Sequence, residues 1–172
     1  MAMDEKDSCA GMPLDGMASD AASNMETARQ KARQYSPLTL AFMGDSVYER
    51  EIREYVVREG NFPPNELNRR SSFLAKAATQ AKMAHLLEAS LTKEEADILR
   101  RGRNAHSATM AKNATVSDYR LATGLEALFG YLYLSGEEAR AKELIAAGIA
   151  LVLEEKKTSQ TRTADQDKSK NK

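Results

Sequence analysis

Between about residue 37 and residue 156, apolar residues return at three- and four-residue spacing, and the residue types that favour strands never collect into alternating runs. A chain patterned this way buries its apolar stripes by packing helices together, so the expected fold class is all-α. Ser36 followed by Pro37 predicts an N-cap and first turn, and Gly60 with Pro63 and Pro64 predicts the stop, giving one long helix over about 37–58. Shorter helices are expected over about 64–72 and 73–89. Thr92 and Glu95 have the spacing of a capping box that opens a helix ending near Arg103. Residues 104–116 (NAHSATMAKNATV) read as a polar loop. Ser117 reads as the cap of a helix to about Leu134, Gly136 as its end, and a final helix follows over roughly 137–156.

Outside this region the pattern changes. Residues 1–24 mix Gly, Ser, Asp, Ala and Met without periodicity, and residues 157–172 are wholly polar, so both ends are expected to be disordered tails. That leaves residues 25–156 as one domain, for which 42% hydrophobic residues in a 172-residue chain supply an ordinary core. No apolar run approaches the roughly 20 residues that span a bilayer, and the N-terminus lacks the basic-then-apolar order of a signal peptide. A cytoplasmic protein without a membrane partner is expected. Cys9, the single cysteine, offers neither an internal disulfide nor a cysteine-based metal site.

The 25 basic and 25 acidic residues cancel, which argues against a nucleic-acid partner until their distribution is followed. Arg69, Arg70, Lys76 and Lys82 lie between Leu67 and Leu87 with no acid. Arg100, Arg101, Arg103 and Lys112 lie between Leu99 and Ser117, again with no acid. Two basic stretches are thus contained in a neutral total. Read alone, they fit solvated helix faces as well as a polyanion-binding surface.

Two acids interrupt apolar stripes. Stepping about 100° per residue, the first long helix places Leu38, Phe42, Asp45, Tyr48, Glu49, Ile52 and Val56 on one side. Leu40, Met43 and Val47 lie opposite, so the first turns are expected to be buried nearly all round and Asp45 with them. The helix after Ser117 places Tyr119, Ala122, Glu126, Phe129, Gly130 and Tyr133 on one side, centred on Glu126. A buried carboxylate needs a cation, a hydrogen-bond network or a metal. Two readings stay open here: ordinary acids held by Arg or backbone donors, or two carboxylates brought together around a divalent cation. Mg²⁺ suits the second, because it takes oxygen ligands, commonly one or two carboxylates, and completes its shell with water and phosphate oxygens. His85 and His106 lack ligand spacing and read as core and loop residues.

The segment LTLAFMGDSVYE (Leu38 to Glu49) resembles the signature helix of the ribonuclease III catalytic domain, and EALFGYLYL (Glu126 to Leu134) resembles the helix carrying the family's other essential acid. RRGRNAHS (Arg100 to Ser107), AKN (Ala111 to Asn113) and DYRLATGLEALFGYLYL (Asp118 to Leu134) are similar to the Mini-ribonuclease III branch, which consists of the catalytic domain alone. The resemblance spans about residues 35–153 in matching order. It implies a helical two-fold homodimer whose cleft receives double-stranded RNA, Mg²⁺ as cofactor, and products with 5′-phosphate and 3′-hydroxyl ends. It carries Asp45 and Glu126 over as catalytic, metal-binding acids, and it suggests a ribosomal RNA precursor of the large subunit as substrate. The full-length ribonuclease III pattern has further acids where this chain has Ala41 and Thr123, so one firmly held Mg²⁺ is the expectation. Glu49, one turn beyond Asp45, either joins the outer shell of the site or pairs with Arg53.

Duplex RNA is gripped mainly at phosphates and 2′-hydroxyls along its shallow minor groove. Only 16 polar residues follow Lys156, so the catalytic domain itself is expected to bind. Arg101, Arg103, Asn104, Lys112 and Asn113 are the expected RNA contacts, with Lys76 and Lys82 behind them. A non-catalytic RNA-binding protein of the same fold and a helical oligomerisation module are the competing classes. The first is disfavoured by the presence of both acids, the second by the acid-free basic stretches.

Overall fold

The computed structural model describes residues 14–105 and 115–170, with side chains over 23–105 and 115–160. Among the described residues there are seven α-helices and no strand. They are α1 (Leu14–Gln34), α2 (Pro37–Glu59), α3 (Pro64–Ala75), α4 (Ala77–Leu87), α5 (Lys93–Asn104), α6 (Val116–Leu134) and α7 (Glu138–Lys170), and a 3₁₀ turn, Glu88–Ser90, joins α4 to α5.

The local signals act where the sequence puts them. Ser36 accepts a hydrogen bond from the Thr39 amide at 3.1 Å and Pro37 opens α2. At the start of α5, Glu95 accepts from the Thr92 amide at 2.7 Å and Thr92 from the Glu95 amide at 3.2 Å, a reciprocal capping box. Gly136, at φ 79°, closes α6: its amide donates to the Tyr133 carbonyl and the Glu137 amide to that of Leu132. This is a Schellman turn, which glycine adopts without strain. The cap of α6 is Thr115 rather than Ser117, because the Thr115 hydroxyl accepts from the Asp118 amide while Ser117 already lies inside the first turn.

The ends also differ from the expectation. The backbone is helical from Leu14, inside the expected N-terminal tail, and α7 runs on to Lys170. A missing apolar stripe removes the reason for a segment to pack, but it does not stop a helix. No Gly or Pro interrupts the chain after Gly148, and the Thr158 and Ser159 hydroxyls bond back to the Glu154 and Glu155 carbonyls along an exposed helix. His85 is exposed rather than part of the core.

The core is organised around α6. From Leu121 to Leu132 every residue is buried except Glu126, which is half-buried. Its neighbours are α1, α2, α4, α5 and α7. The approach of α2 is the tightest. A Cβ placed on Gly44 would lie 1.7 Å from the Glu126 carbonyl oxygen, and one on Gly130 would lie 2.0 Å from the Leu40 carbonyl oxygen. Backbone packs directly on backbone here. Gly102 of α5 and Gly124 of α6 make a second such crossing: a Cβ on Gly124 would sit 2.6 Å from the Leu99 carbonyl oxygen. Tyr48 locks the first crossing, stacking on Phe129 with centroids 5.6 Å apart and donating its buried hydroxyl to the Leu74 carbonyl at 3.0 Å.

This geometry corrects the expected burial of the first turns of α2. The buried face is Leu40, Ala41, Gly44, Val47, Tyr48, Ile52 and Val56, whereas Leu38 (39% exposed), Phe42 (82% exposed) and Asp45 point outward. Helical periodicity leaves the choice of buried face open when both sides are apolar. The Gly44–Gly130 approach makes that choice.

Gly44→Ala and Gly130→Ala are each expected to lower stability by about 3 kcal/mol or more, the upper end of overpacking costs, because the clash is with backbone that cannot rotate away. Gly136→Asn, with nothing within 4 Å of its would-be Cβ and a side chain that tolerates positive φ, is expected to cost far less. Urea unfolding midpoints at unchanged m-value check both.

Candidate active site

Asp45 follows Gly44 directly in α2, and the carbonyl that meets Gly44 belongs to Glu126 of α6. The helix crossing therefore sets two acids from distant parts of the chain side by side. Their coupling shows in their ionisation. Burial, and then the negative charge of Asp45, push the Glu126 carboxyl up to about 7, while the nearby Gln80 side chain acts the other way. Asp45 is also raised, by burial first and then by Glu49. The Tyr48 hydroxyl is raised by burial first and then by Glu126.

Among the described residues no Lys or Arg forms an ion pair with Asp45 or Glu126. The contrast with the rest of the molecule is sharp. Buried Glu95 is held by Arg140 at 2.8 Å, Glu137 by Arg29 at 2.8 Å, and Glu66 by both Arg69 and Arg70. Two neighbouring carboxylates that lack such partners repel each other unless one keeps a proton or a cation joins them.

Two oxygen-donor acids, one exposed and one half-buried, fit Mg²⁺, which keeps much of its shell as water. They do not amount to an all-protein cage: no group of three or more His, Cys, Asp or Glu with metal-holding geometry occurs among the described residues. The positions where ribonuclease III has its further acids show why. Ala41 is buried, and the Thr123 hydroxyl is spent on the Tyr119 carbonyl of its own helix at 3.0 Å. Glu49 lies one turn from Asp45, half-buried, and its carboxylate pairs with Arg53 at 3.0 Å.

Gly102 packs α5 onto α6, and the last turn of α5 carries the basic residues. Arg103 and Asn104 are exposed and Arg101 is half-buried. Among the described residues Arg101 and Arg103 have no carboxylate within ion-pair distance, whereas Arg100 pairs with Asp97. Lys112, Asn113 and His106 lie outside the described residues. Of the other basic stretch, Arg69 and Arg70 are engaged by Glu66 and Glu59, and Lys82 by Glu155 at 2.9 Å. Lys76, at the exposed junction of α3 and α4, has no ion-pair partner among the described residues. Gln80 is the member of the site that sequence reading missed. A glutamine inside a helix gives no local signal that it is buried near an acid on another element.

The ribonuclease III domain model matches residues 38–137, which spans both acids and the α5–α6 connection. The chain belongs to the ribonuclease III family. It is 43% identical over 117 residues to the Mini-ribonuclease 3 of Brevibacillus brevis, covering 68% of this chain and 87% of that protein. Against the Mini-ribonuclease 3 of Enterococcus faecalis it is 45% identical over 115 residues, covering 66% and 87%. A crystal structure of a Fusobacterium nucleatum protein superposes with a TM-score of 0.63 at 34% identity, covering 69% of this chain and 94% of that one. Membership of this family makes the chain an endoribonuclease of the ribonuclease III type, and its Mini branch is the one the sequence resembles.

The ionisation of Glu126 has a measurable consequence. Its folded-state value lies above the ordinary 4.5, so between about pH 4.5 and 7 the folded protein binds more protons than the unfolded chain. The raised value therefore favours the fold below this window, and that advantage is lost as pH rises through it. In EDTA, stability to urea is expected to drop between pH 5 and 8, and Glu126→Gln is expected to shrink that drop and to be the more stable protein at pH 8.

Proposed function

We propose that this chain is a Mg²⁺-dependent endoribonuclease that hydrolyses phosphodiester bonds of double-stranded RNA as a homodimer in the cytoplasm, with a ribosomal RNA precursor of the large subunit as substrate. The observation that carries the metal-dependent reading is the pair of carboxylates, Asp45 and Glu126, set together by the Gly44–Gly130 crossing with no basic residue paired to them among the described residues.

Asp45 and Glu126 would hold the cation, Asp45 from the open side and Glu126 from the wall of the core. When bound, Mg²⁺ supplies an activated water and neutralises charge that develops on the phosphate, leaving a 5′-phosphate and a 3′-hydroxyl. Glu49 would orient solvent at the edge of the site while Arg53 holds it. Arg101 and Arg103, free of carboxylate partners among the described residues, would meet RNA phosphates, with Asn104 beside them and Lys112 and Asn113 further along the α5–α6 connection. Since base edges are out of reach in the deep groove of an A-form duplex, recognition would rest on shape and backbone.

The dimer is supported by the outward row of Tyr35, Leu38 and Phe42, 47%, 39% and 82% exposed, which adjoins Asp45 on the same end of α2. A second copy packed two-fold on this row would cover it and bring a second pair of acids to the opposite strand of one duplex. The ribosomal precursor is supported by likeness to the Mini branch.

A purified duplex of a few tens of base pairs is expected to be cut in Mg²⁺ and left intact in EDTA, with Asp45→Asn abolishing cleavage while gel-shift affinity persists. Binding without cleavage by the unaltered protein would sink the enzymatic reading. Replacing Arg101, Arg103 and Lys112 together by Ala is expected to weaken binding and flatten the dependence of log affinity on log salt by about one unit per lost phosphate contact. Phe42→Glu is expected to yield a monomer in sedimentation and to lose most double-strand cleavage. Mapping RNA ends in cells that lack the protein tests the substrate.

A further inference from the structure

We infer that Lys76, at the junction of α3 and α4, holds the phosphate group at the cut: its ammonium group meets the RNA phosphate that enters beside Asp45. The inference deepens the endoribonuclease reading and rests on it.

The junction is fastened to the part of α2 that carries the exposed acid. Tyr48, three residues past Asp45, donates its buried hydroxyl to the Leu74 carbonyl at 3.0 Å. Ala75, next in the chain, lines a small cavity of about 70 Å³ together with Glu49, the residue one turn beyond Asp45. Lys76 follows Ala75 and is exposed, as Asp45 is. Its backbone is pinned: the Lys76 carbonyl accepts from the Thr79 and Gln80 amides at 2.8 and 3.0 Å, and the Thr79 hydroxyl donates to the Phe73 carbonyl at 2.8 Å. A flexible stem therefore swings from a fixed root at the edge of the acidic site.

The fold gains nothing from a lysine here. Ser36, Thr92 and Thr115 cap the helices they precede, but Lys76, in the same position before α4, makes no side-chain cap bond. Its charge also opposes the partial positive charge of a helix start. Among the described residues it forms no ion pair, whereas Lys82, further along α4, is held by Glu155 at 2.9 Å. A residue that breaks a local rule without a compensating contact points to a use outside the fold.

Charge shows what that use is. Two carboxylates offset one divalent cation, so an entering phosphate brings negative charge that nothing in the pair offsets, and hydrolysis develops more. A lysine ammonium at the edge of the site supplies the missing positive charge where it is needed. Arg101 and Arg103 stand on α5, away from the α3–α4 junction, and would hold other phosphates of the duplex.

The test reads rate and affinity separately. A duplex of a few tens of base pairs is cut in Mg²⁺ at saturating protein in a single turnover, and is bound in EDTA across a salt series by gel shift. Lys76→Ala is expected to slow the cut about tenfold or more and to lower the slope of log affinity against log salt by about one. Lys76→Arg, which keeps the charge, is expected to recover most of the rate. Lys142→Ala, which removes an exposed lysine on α7, is expected to leave rate and slope unchanged. Should Lys76→Ala not fold, Lys76→Gln takes its place. A folded variant that cuts at the wild-type rate overturns the inference even if it binds more weakly, because the lysine then meets a phosphate away from the cut. A loss that Lys76→Arg leaves unrepaired overturns it too, as does an equal loss in Lys142→Ala, which would make the effect one of net charge. If wild type leaves the duplex whole, the endoribonuclease reading fails. An unchanged salt slope for Lys76→Ala then overturns the phosphate contact as well, and a lowered slope retains it.

Discussion

Two helices can approach closely enough for backbone to touch backbone only where neither carries a side chain between them. Gly44 and Gly130 provide that place, and a Cβ on either would fall within 2.0 Å of a carbonyl oxygen of the facing helix. Everything at the acidic site follows from this contact. It rotates α2 so that Leu40, Gly44, Val47 and Tyr48 face α6, which leaves Asp45 at the rim. It also puts the turn of α6 that carries Glu126 directly beneath. The carboxylates are therefore placed by the most rigid material the fold has, two long helices in van der Waals contact, and not by loops.

Electrostatics then separates this pair from Glu95, Glu137 and Glu66, which arginines neutralise. The chain has equal numbers of acidic and basic residues, and most of those with a structural role pair off: Arg29 with Glu137, Arg140 with Glu95, Arg70 with Glu59 and Glu66. What is left over is informative. Among the described residues, the two adjacent negatives, Asp45 and Glu126, and Arg101 and Arg103 at the end of α5 are among the charges outside this pairing, and α6 connects them, meeting α2 through Gly130 and α5 through Gly124. A neutral total thus conceals an acidic centre and a basic flank on neighbouring helices, the charge arrangement a metal-assisted phosphodiesterase requires.

The helices were legible because their signals are local. Ser36–Pro37, the Thr92–Glu95 box and Gly136 each act within a few residues, and each does so in the structure. Glu126 was legible as the interruption of a stripe that is buried, whereas Asp45 was read into a buried stripe and lies on the open side. What sequence could not supply is whatever depends on a partner helix. The stripe through Leu38, Phe42 and Asp45 looks as apolar as the one through Leu40 and Val47, and only the Gly44 contact tells which is buried. Gln80 is silent for the same reason. The polar tail after residue 156 was read as disordered because it cannot pack, but the absence of a breaker suffices for helix to continue to Lys170.

The thinning of the acidic set has a structural counterpart that bears on how many cations the site can hold. Ala41, one turn before Asp45, is buried, and Thr123, one turn before Glu126, returns its hydroxyl to its own helix. An acid at either position would have to be desolvated against α6 or α2, adding a third negative charge beside Glu126, which burial and then Asp45 already lift to about 7. With alanine and threonine there, the wall behind the two carboxylates is neutral and closed. On the proposed reading, a second cation would find no further carboxylate at these two positions, so a single ion would be shared by Asp45 and Glu126, open toward solvent on the Asp45 side.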